Sequence, residues 1–207
     1  KLGGRCTTMI HKTGMLLITL FLIATTWIHP IWPYEQALHN SLTILGLVAL
    51  AWYNKNYHVS RGQFALICLF LVSHSIAARW LYSYVPYEQW YFEITGQSFK
   101  TIFHTERNHA DRLIHFLYGL CFTPTLISYF QQRYQLNANI AYKLTLMMIM
   151  VSSLWYEWFE WLIAITLSPE QAEAYNGQQG DMWDAHQDML LATIGCLVWW
   201  RFKRQTH

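Results

Sequence analysis

The chain predicts an all-α, multi-pass membrane protein: one domain over residues 1–207, a bundle of about six transmembrane helices with both termini cytoplasmic. The first observation is composition: 54% of the 207 residues are hydrophobic and only 13% charged. Soluble domains carry roughly 25% charged residues, so a soluble apolar bundle fits poorly. Mean hydropathy is positive, +0.13. The second observation is the abundance of Trp (11) and Tyr (13), residues that favour membrane–water interfaces. The third is a series of apolar runs separated by polar turns.

The first run, about residues 14–29, follows a short basic arm with Lys1, Arg5 and Lys12. It starts like a signal peptide but has no small-x-small cleavage site, so it reads as an uncleaved span closed by Pro30 and Pro33. The second run, about 38–53, is short for a span and leans on Trp52 and Tyr53 at its edge. The third, about 63–84, holds His74 and Arg79. Residues 86–108 are aromatic-rich yet too polar to span, and read as a surface-lying or re-entrant connection. The fourth and fifth runs cover about 110–130 and 140–167, the latter closed by Ser168-Pro169. After the polar loop 169–180, the sixth run covers about 184–200 and ends in the basic tail Arg201, Lys203 and Arg204.

Six crossings put the N-terminal arm, the 54–61 turn, the 131–143 turn and the tail on one side. That side holds ten of the fourteen Lys and Arg residues, the last two in the turns being Arg133 and Lys143. The positive-inside rule makes it the cytoplasmic side.

The functional reading begins at Gly180–Asp188. Asp181, Asp184 and Asp188 fall on one helical stripe that runs into the uncharged segment 189–200. Asp111 and His115 are i, i+4 partners at the start of the fourth run, with Asn108, His109 and Arg112 beside them. Glu157 and Glu160 lie one turn apart in the fifth. At 1.5 Å per residue, Glu160 and Glu157 sit about 10 and 15 Å below the outer end of their span, and Asp188 about 10 Å below Asp181. Three helices thus carry ionisable groups at similar depth, where each is costly unless paired or wetted. Asp111, His115, Glu157, Glu160, Asp184 and Asp188 are the candidate catalytic residues. Arg79, Arg112, Asn108, His109 and Asp181 are the candidate substrate-binding residues. His115, Glu157 and Asp188 are the candidate ligands of a divalent cation. The competing reading is a salt-bridge lock among Arg79, Arg112 and the acids. His186 falls on another face and reads as a solvated residue.

Other chemistries are not written in the chain. It has no GxSxG elbow, P-loop, paired-glycine dinucleotide motif or HExxH. Cys68, Cys121 and Cys196 lie in apolar runs and Cys6 in the arm, a spacing that frames neither a disulfide set nor a metal knuckle.

The ordered set Asp111-Arg112-Leu113-Ile114-His115-Phe116, Glu157 with Glu160, and Gly180-Asp181…Asp184…Asp188 resembles the YjdF-like family of bacterial inner-membrane proteins, over nearly the whole chain. The resemblance implies a multi-pass inner-membrane protein and no particular chemistry. A fainter similarity is to VanZ-like proteins, associated with teicoplanin resistance. Asp111, His115, Phe116, Glu157, Asp188 and Gly195 match their pattern in order, but Arg112 replaces a lysine and Ala192 stands where an Asn is expected. With that Asn missing, neither a shared ligand contact nor the resistance role is carried over.

The leading expectation is an outward-facing intramembrane site that binds or processes a polar lipid head group or a lipid-linked envelope precursor, with a bound cation. If the protein is an enzyme, hydrolysis or group transfer fits better than redox chemistry. A small cation- or proton-coupled transporter and a structural membrane subunit are the alternatives. The expected partner is the lipid bilayer, not nucleic acid, and the sequence sets no oligomeric state.

Overall fold

Each apolar run builds a helix whose ends are set by local chemistry. In the computed structural model, which describes residues 2–166, 168 and 175–200, the helices are α1 (Leu2–Thr25), α2 (Pro33–Asn56), α3 (Arg61–Arg79), α4 (Tyr87–Thr95), α5 (Phe99–Phe103), α6 (Ala110–Tyr134), α7 (Ala138–Thr166) and α8 (Asp184–Leu197). No strand occurs among the described residues. Side chains before residue 10, the loop stretch 169–174 and the basic tail from Arg201 lie outside the described residues.

Three of these helices, α3, α6 and α7, are long and apolar enough to cross a membrane, and α1 adds a shorter apolar stretch, Ile10–Thr25. α2 has 24 residues but buries Gln36, His39, Asn40 and Thr43. α8, with 14 residues, is about 21 Å long.

Several expected boundaries move. α1 stops at Thr25, and Pro33 opens α2 rather than closing the first span. Its fixed φ and missing N–H suit the first helical position. The third run stops at Arg79, because Leu81 and Tyr82 both take left-handed backbone (φ 46° and 56°). Two consecutive non-glycine residues there are strained, and burial of both side chains holds them. The 86–108 connection forms α4 and α5, neither with a buried residue. α3 begins at a capping box: Ser60 Oγ accepts from the Gln63 N–H, and Gln63 Oε1 accepts from the Ser60 N–H.

α6 is the axis of the bundle, packed against α3, α7 and α8, while α1 and α2 pack on α3. Pro124 inside α6 cannot donate to the carbonyl of Leu120, and the Trp199 indole N–H donates to it instead at 2.8 Å. The α6–α8 crossing runs on glycine. A Cβ built on Gly119 would stand 1.8 Å from the Ala192 carbonyl oxygen, and one on Gly195 2.2 Å from that of Phe116. This backbone-to-backbone approach brings the acidic stripe of α8 against the start of α6.

Candidate functional site

The first turns of α6 present Asp111 and His115 on one face, 3.7 Å apart between Oδ1 and Nε2. Glu157 of α7 stands 3.9 Å from the other imidazole nitrogen, Nδ1. α8 brings in Asp188 across the glycine crossing. One ligand atom each of Asp111, His115 and Asp188 lies within 4.8 Å of the others, and all three residues are buried. Both measured gaps are too long for hydrogen bonds. Two ligands held about 2.1 Å from a metal are themselves roughly 3–4 Å apart, so the spacing suits donors around a shared ion. Asp188 Oδ1 and Glu157 Oε1 are buried without a hydrogen-bond partner. Those orphaned oxygens fit a cation, shared protons or water among them.

The available arginines are spent one layer further out. Arg112 Nη2 lies 2.5 Å from Asp181 and 3.7 Å from Asp184. Arg107, from the loop before α6, donates to Asp184 at 2.5 Å and to the backbone carbonyls of Gln178 and Gly177. Gly177 can serve here because its φ is +65° and a Cβ would stand 2.3 Å from Ser83 Oγ, where the Ser83 hydroxyl donates to its carbonyl. The Trp183 N–H donates to Asp181, and with Arg112 and Gln187 it holds that carboxyl below its ordinary pKa. The outer acids are therefore paired with guanidinium, whereas among the described residues the inner ones have only His115 within 4 Å as a basic partner.

Asp111 and His115 also form one wall of a cavity of about 230 Å³ between α2, α3, α6 and α7. Ser152, Ser153 and Tyr156 of α7 line it, and His74 and Tyr82 do so from the α3 side. The Tyr82 hydroxyl lies 2.9 Å from His74 Nε2, and Thr43 Oγ1 lies 3.1 Å from His74 Nδ1. Thr43 continues to Asn40 and Ser75. Behind them His39 stacks on Tyr175 at 4.2 Å, fully buried, with neither ring nitrogen hydrogen-bonded.

The structure thus brings together Asp111, His115, Glu157 and Asp188, with Asp181, Asp184 and Arg112 adjoining. Glu157 and Asp188 stand behind the cavity wall rather than in it. The donor set contains Asp111, where the sequence pointed to Glu157 as a ligand. Glu160 makes none of the ion pairs, but its carboxyl hydrogen-bonds the Tyr156 side chain that lines the cavity and lies near Asp111, Glu157 and Asp188, while its backbone carbonyl accepts from Asn176. Arg79 does not reach the cluster: its guanidinium donates to the carbonyls of Thr26, Ile28 and His29, closing the end of α1. Asn108 spends its amide on local backbone, with Nδ2 on Val85 and Oδ1 on the Ala110 N–H, while its own backbone pairs with Gln179. His109 meets Thr105 Oγ1 at 2.6 Å, and burial, with Arg112 and Arg107 near, keeps its imidazole below the ordinary pKa. His186 is exposed, as expected.

Sequence reasoning missed Arg107, Tyr82 and the α2 stripe. Gln36, His39, Asn40 and Thr43 follow i, i+3, i+4, i+7, a helical polar face that was there to be read. Arg107 offered no such signal, since a loop position carries no periodicity.

An all-helical fold with apolar spanning helices and a carboxylate–histidine cluster buried among them defines a multi-helix integral membrane protein. The chain belongs to the family described as "Predicted membrane protein (DUF2238)", which matches residues 11–206. It is 27% identical over 210 residues to the inner membrane protein YjdF of Escherichia coli (strain K12), covering 96% of this chain and 91% of that protein. No solved structure matches it.

Proposed function

We propose that this is a six-span protein of the bacterial inner membrane whose Asp111–His115–Asp188 cluster holds a divalent cation, with Glu157 braced against His115. In this reading the cation serves to bind or process a polar lipid head group, or a lipid-linked envelope precursor, admitted to the adjoining cavity. The observation that carries it is the set of three buried donor groups within 4.8 Å at the cavity wall. Two carboxylates and an imidazole are a donor set for a divalent metal of the Mn, Zn or Mg type. Bound there, the cation supplies positive charge to a polar ligand and balances acids that repel one another. His115 and Asp111 stand where a proton is taken or given. Arg107 and Arg112, held by Asp181 and Asp184, close the outer layer, so a salt-bridge lock accounts for that layer but leaves the inner acids unbalanced. Ala192 is buried in the α6–α8 contact, with its backbone against Gly119.

Titration of the purified, chelator-stripped protein with Mn²⁺, Zn²⁺ and Mg²⁺ by calorimetry tests the proposal. The expected outcome is stoichiometric binding of one of these ions, abolished in Asp188→Asn and His115→Ala. Glu157→Gln weakens it by about 10–100-fold, as loss of a supporting group does. Glu106→Gln, whose side chain is 96% exposed, leaves it unchanged. Absence of binding to the parent protein, or equal binding by all variants, refutes the site.

A further inference from the structure

At the opposite end of the bundle from the acidic cluster, α1 and α2 both pack on α3 but leave a groove of about 430 Å³ between them. Its walls are apolar: Leu20 of α1 is 42% exposed and Val48 of α2 61% exposed. Phe64 of α3 also lines it, and Lys12 and Asn54 close one end. The Lys12 ammonium donates to Asn54 Oδ1 at 2.8 Å and lies 5.9 Å above the Phe64 ring. Among the described residues no carboxylate pairs with it.

We infer that this groove is a binding site for an anionic phospholipid, with the phosphate on Lys12 and Asn54 and one acyl chain laid along Leu20 and Val48. Dimensions fit. Lys12 to Leu20 is eight residues, about 12 Å of helix, against roughly 15 Å for the hydrocarbon half of one leaflet. The polarity order fits as well: Lys12 stands at the start of the apolar stretch Ile10–Thr25, where the phosphate layer begins. A basic pocket between spanning helices is a known kind of acidic-lipid site, and here the amine has no acid of its own to satisfy it. An uncharged head group would leave the ammonium without a counter-charge at the mouth of an apolar groove. The site is separate from the proposed cation centre, and neither depends on the other.

The test is lipid retention by native mass spectrometry, with phosphatidylglycerol and phosphatidylcholine of identical acyl chains offered to the detergent-purified protein. The parent should retain phosphatidylglycerol roughly fivefold better, the ratio one lysine near the surface supplies. Lys12→Gln should remove that preference and Lys12→Arg restore it. Val48→Trp, which fills the groove, should lower retention of both lipids, while Lys100→Gln on α5 should behave as the parent. Lys12→Gln gives up the Phe64 contact but keeps an amide donor for Asn54, and Lys12→Arg controls for that loss, so this arm decides even if the tryptophan variant misfolds. Equal retention of the two lipids by the parent overturns the inference, as does an unchanged preference in Lys12→Gln. Cross-linking between copies through a cysteine at position 48 overturns it too, because a second chain then covers the groove.

Discussion

Arg112 and Glu157 show how differently two ionisable side chains act within one cluster. Arg112 is shared between Asp181 and Asp184, with its side chain only 16% exposed. Glu157 faces an imidazole at 3.9 Å with one oxygen unpartnered, next to Asp188 and Asp111. Removing one partner of a buried pair typically costs about 3–5 kcal/mol, because the other charge is left behind. Arg112 is only partly buried, Asp181 reaches solvent and Asp184 keeps Arg107, so Arg112→Leu is expected to destabilise by less than that, about 1–3 kcal/mol, chiefly through Asp184. Glu157→Gln removes one carboxyl from a crowded acidic set and keeps the shape, so it should cost less than about 1 kcal/mol or raise stability. Thermal unfolding of both variants in detergent, with chelator present so that metal binding does not enter, checks the contrast; equal losses would contradict an acidic excess. At this scale the sequence was readable where helical spacing fixes a face, as with Asp111 and His115 or Asp184 and Asp188. It was not readable for Arg79. Depth along α3 says how high the guanidinium sits but not which way it points, and the unsatisfied carbonyls at the end of α1 claimed it.

Among the elements, the contact of α6 with α8 governs whether the site exists at all. Asp188 reaches His115 only because Gly119 and Gly195 let the two backbones touch, with Cys121, Ala192 and Cys196 fully buried alongside. Lipid tails give helices no hydrophobic reason to associate, so close packing of small residues has to hold such a pair. Gly119→Ala puts a methyl group 1.8 Å from a backbone oxygen that no rotamer change can move away. It should cost at least about 1–3 kcal/mol by overpacking and abolish cation binding by moving α8 off α6. Gly14→Ala in α1, with nothing within 4 Å, should leave both unchanged. Differential scanning fluorimetry and metal titration of the two variants measure this, and a Gly119→Ala protein of parental stability would show that the crossing is looser than described. The helices themselves were legible as apolar runs, but this crossing was not. Small residues in a hydrophobic stretch look alike in sequence whether they face lipid, core or another backbone.

Across the whole molecule, the turns sort into two ends. At one, His58 in the α2–α3 turn exchanges hydrogen bonds with Gln132 near the C-terminal end of α6, and Lys12 meets Asn54. At the other, Arg79 closes onto Thr26–His29, Ser83 meets Gly177, and Asn108 pairs with Gln179. The first end is the one that gathers most of the Lys and Arg residues, including Lys55, Arg61 and Arg133. By the positive-inside rule it should face the cytoplasm, which directs the acidic cluster outward. Single cysteines at Gln97 and Gln178, both exposed at the second end, are then expected to react with a membrane-impermeant maleimide in intact spheroplasts. A cysteine at the exposed Asn56 should react only after permeabilisation. The buried Cys68, Cys121 and Cys196 should stay silent in both conditions. The reverse pattern would turn the protein over and point the cluster at the cytoplasm. Opposite labelling of positions 97 and 178 would mean that α6 and α7 do not both cross, and the shared depth of Asp111, Glu157 and Asp188 would lose its meaning.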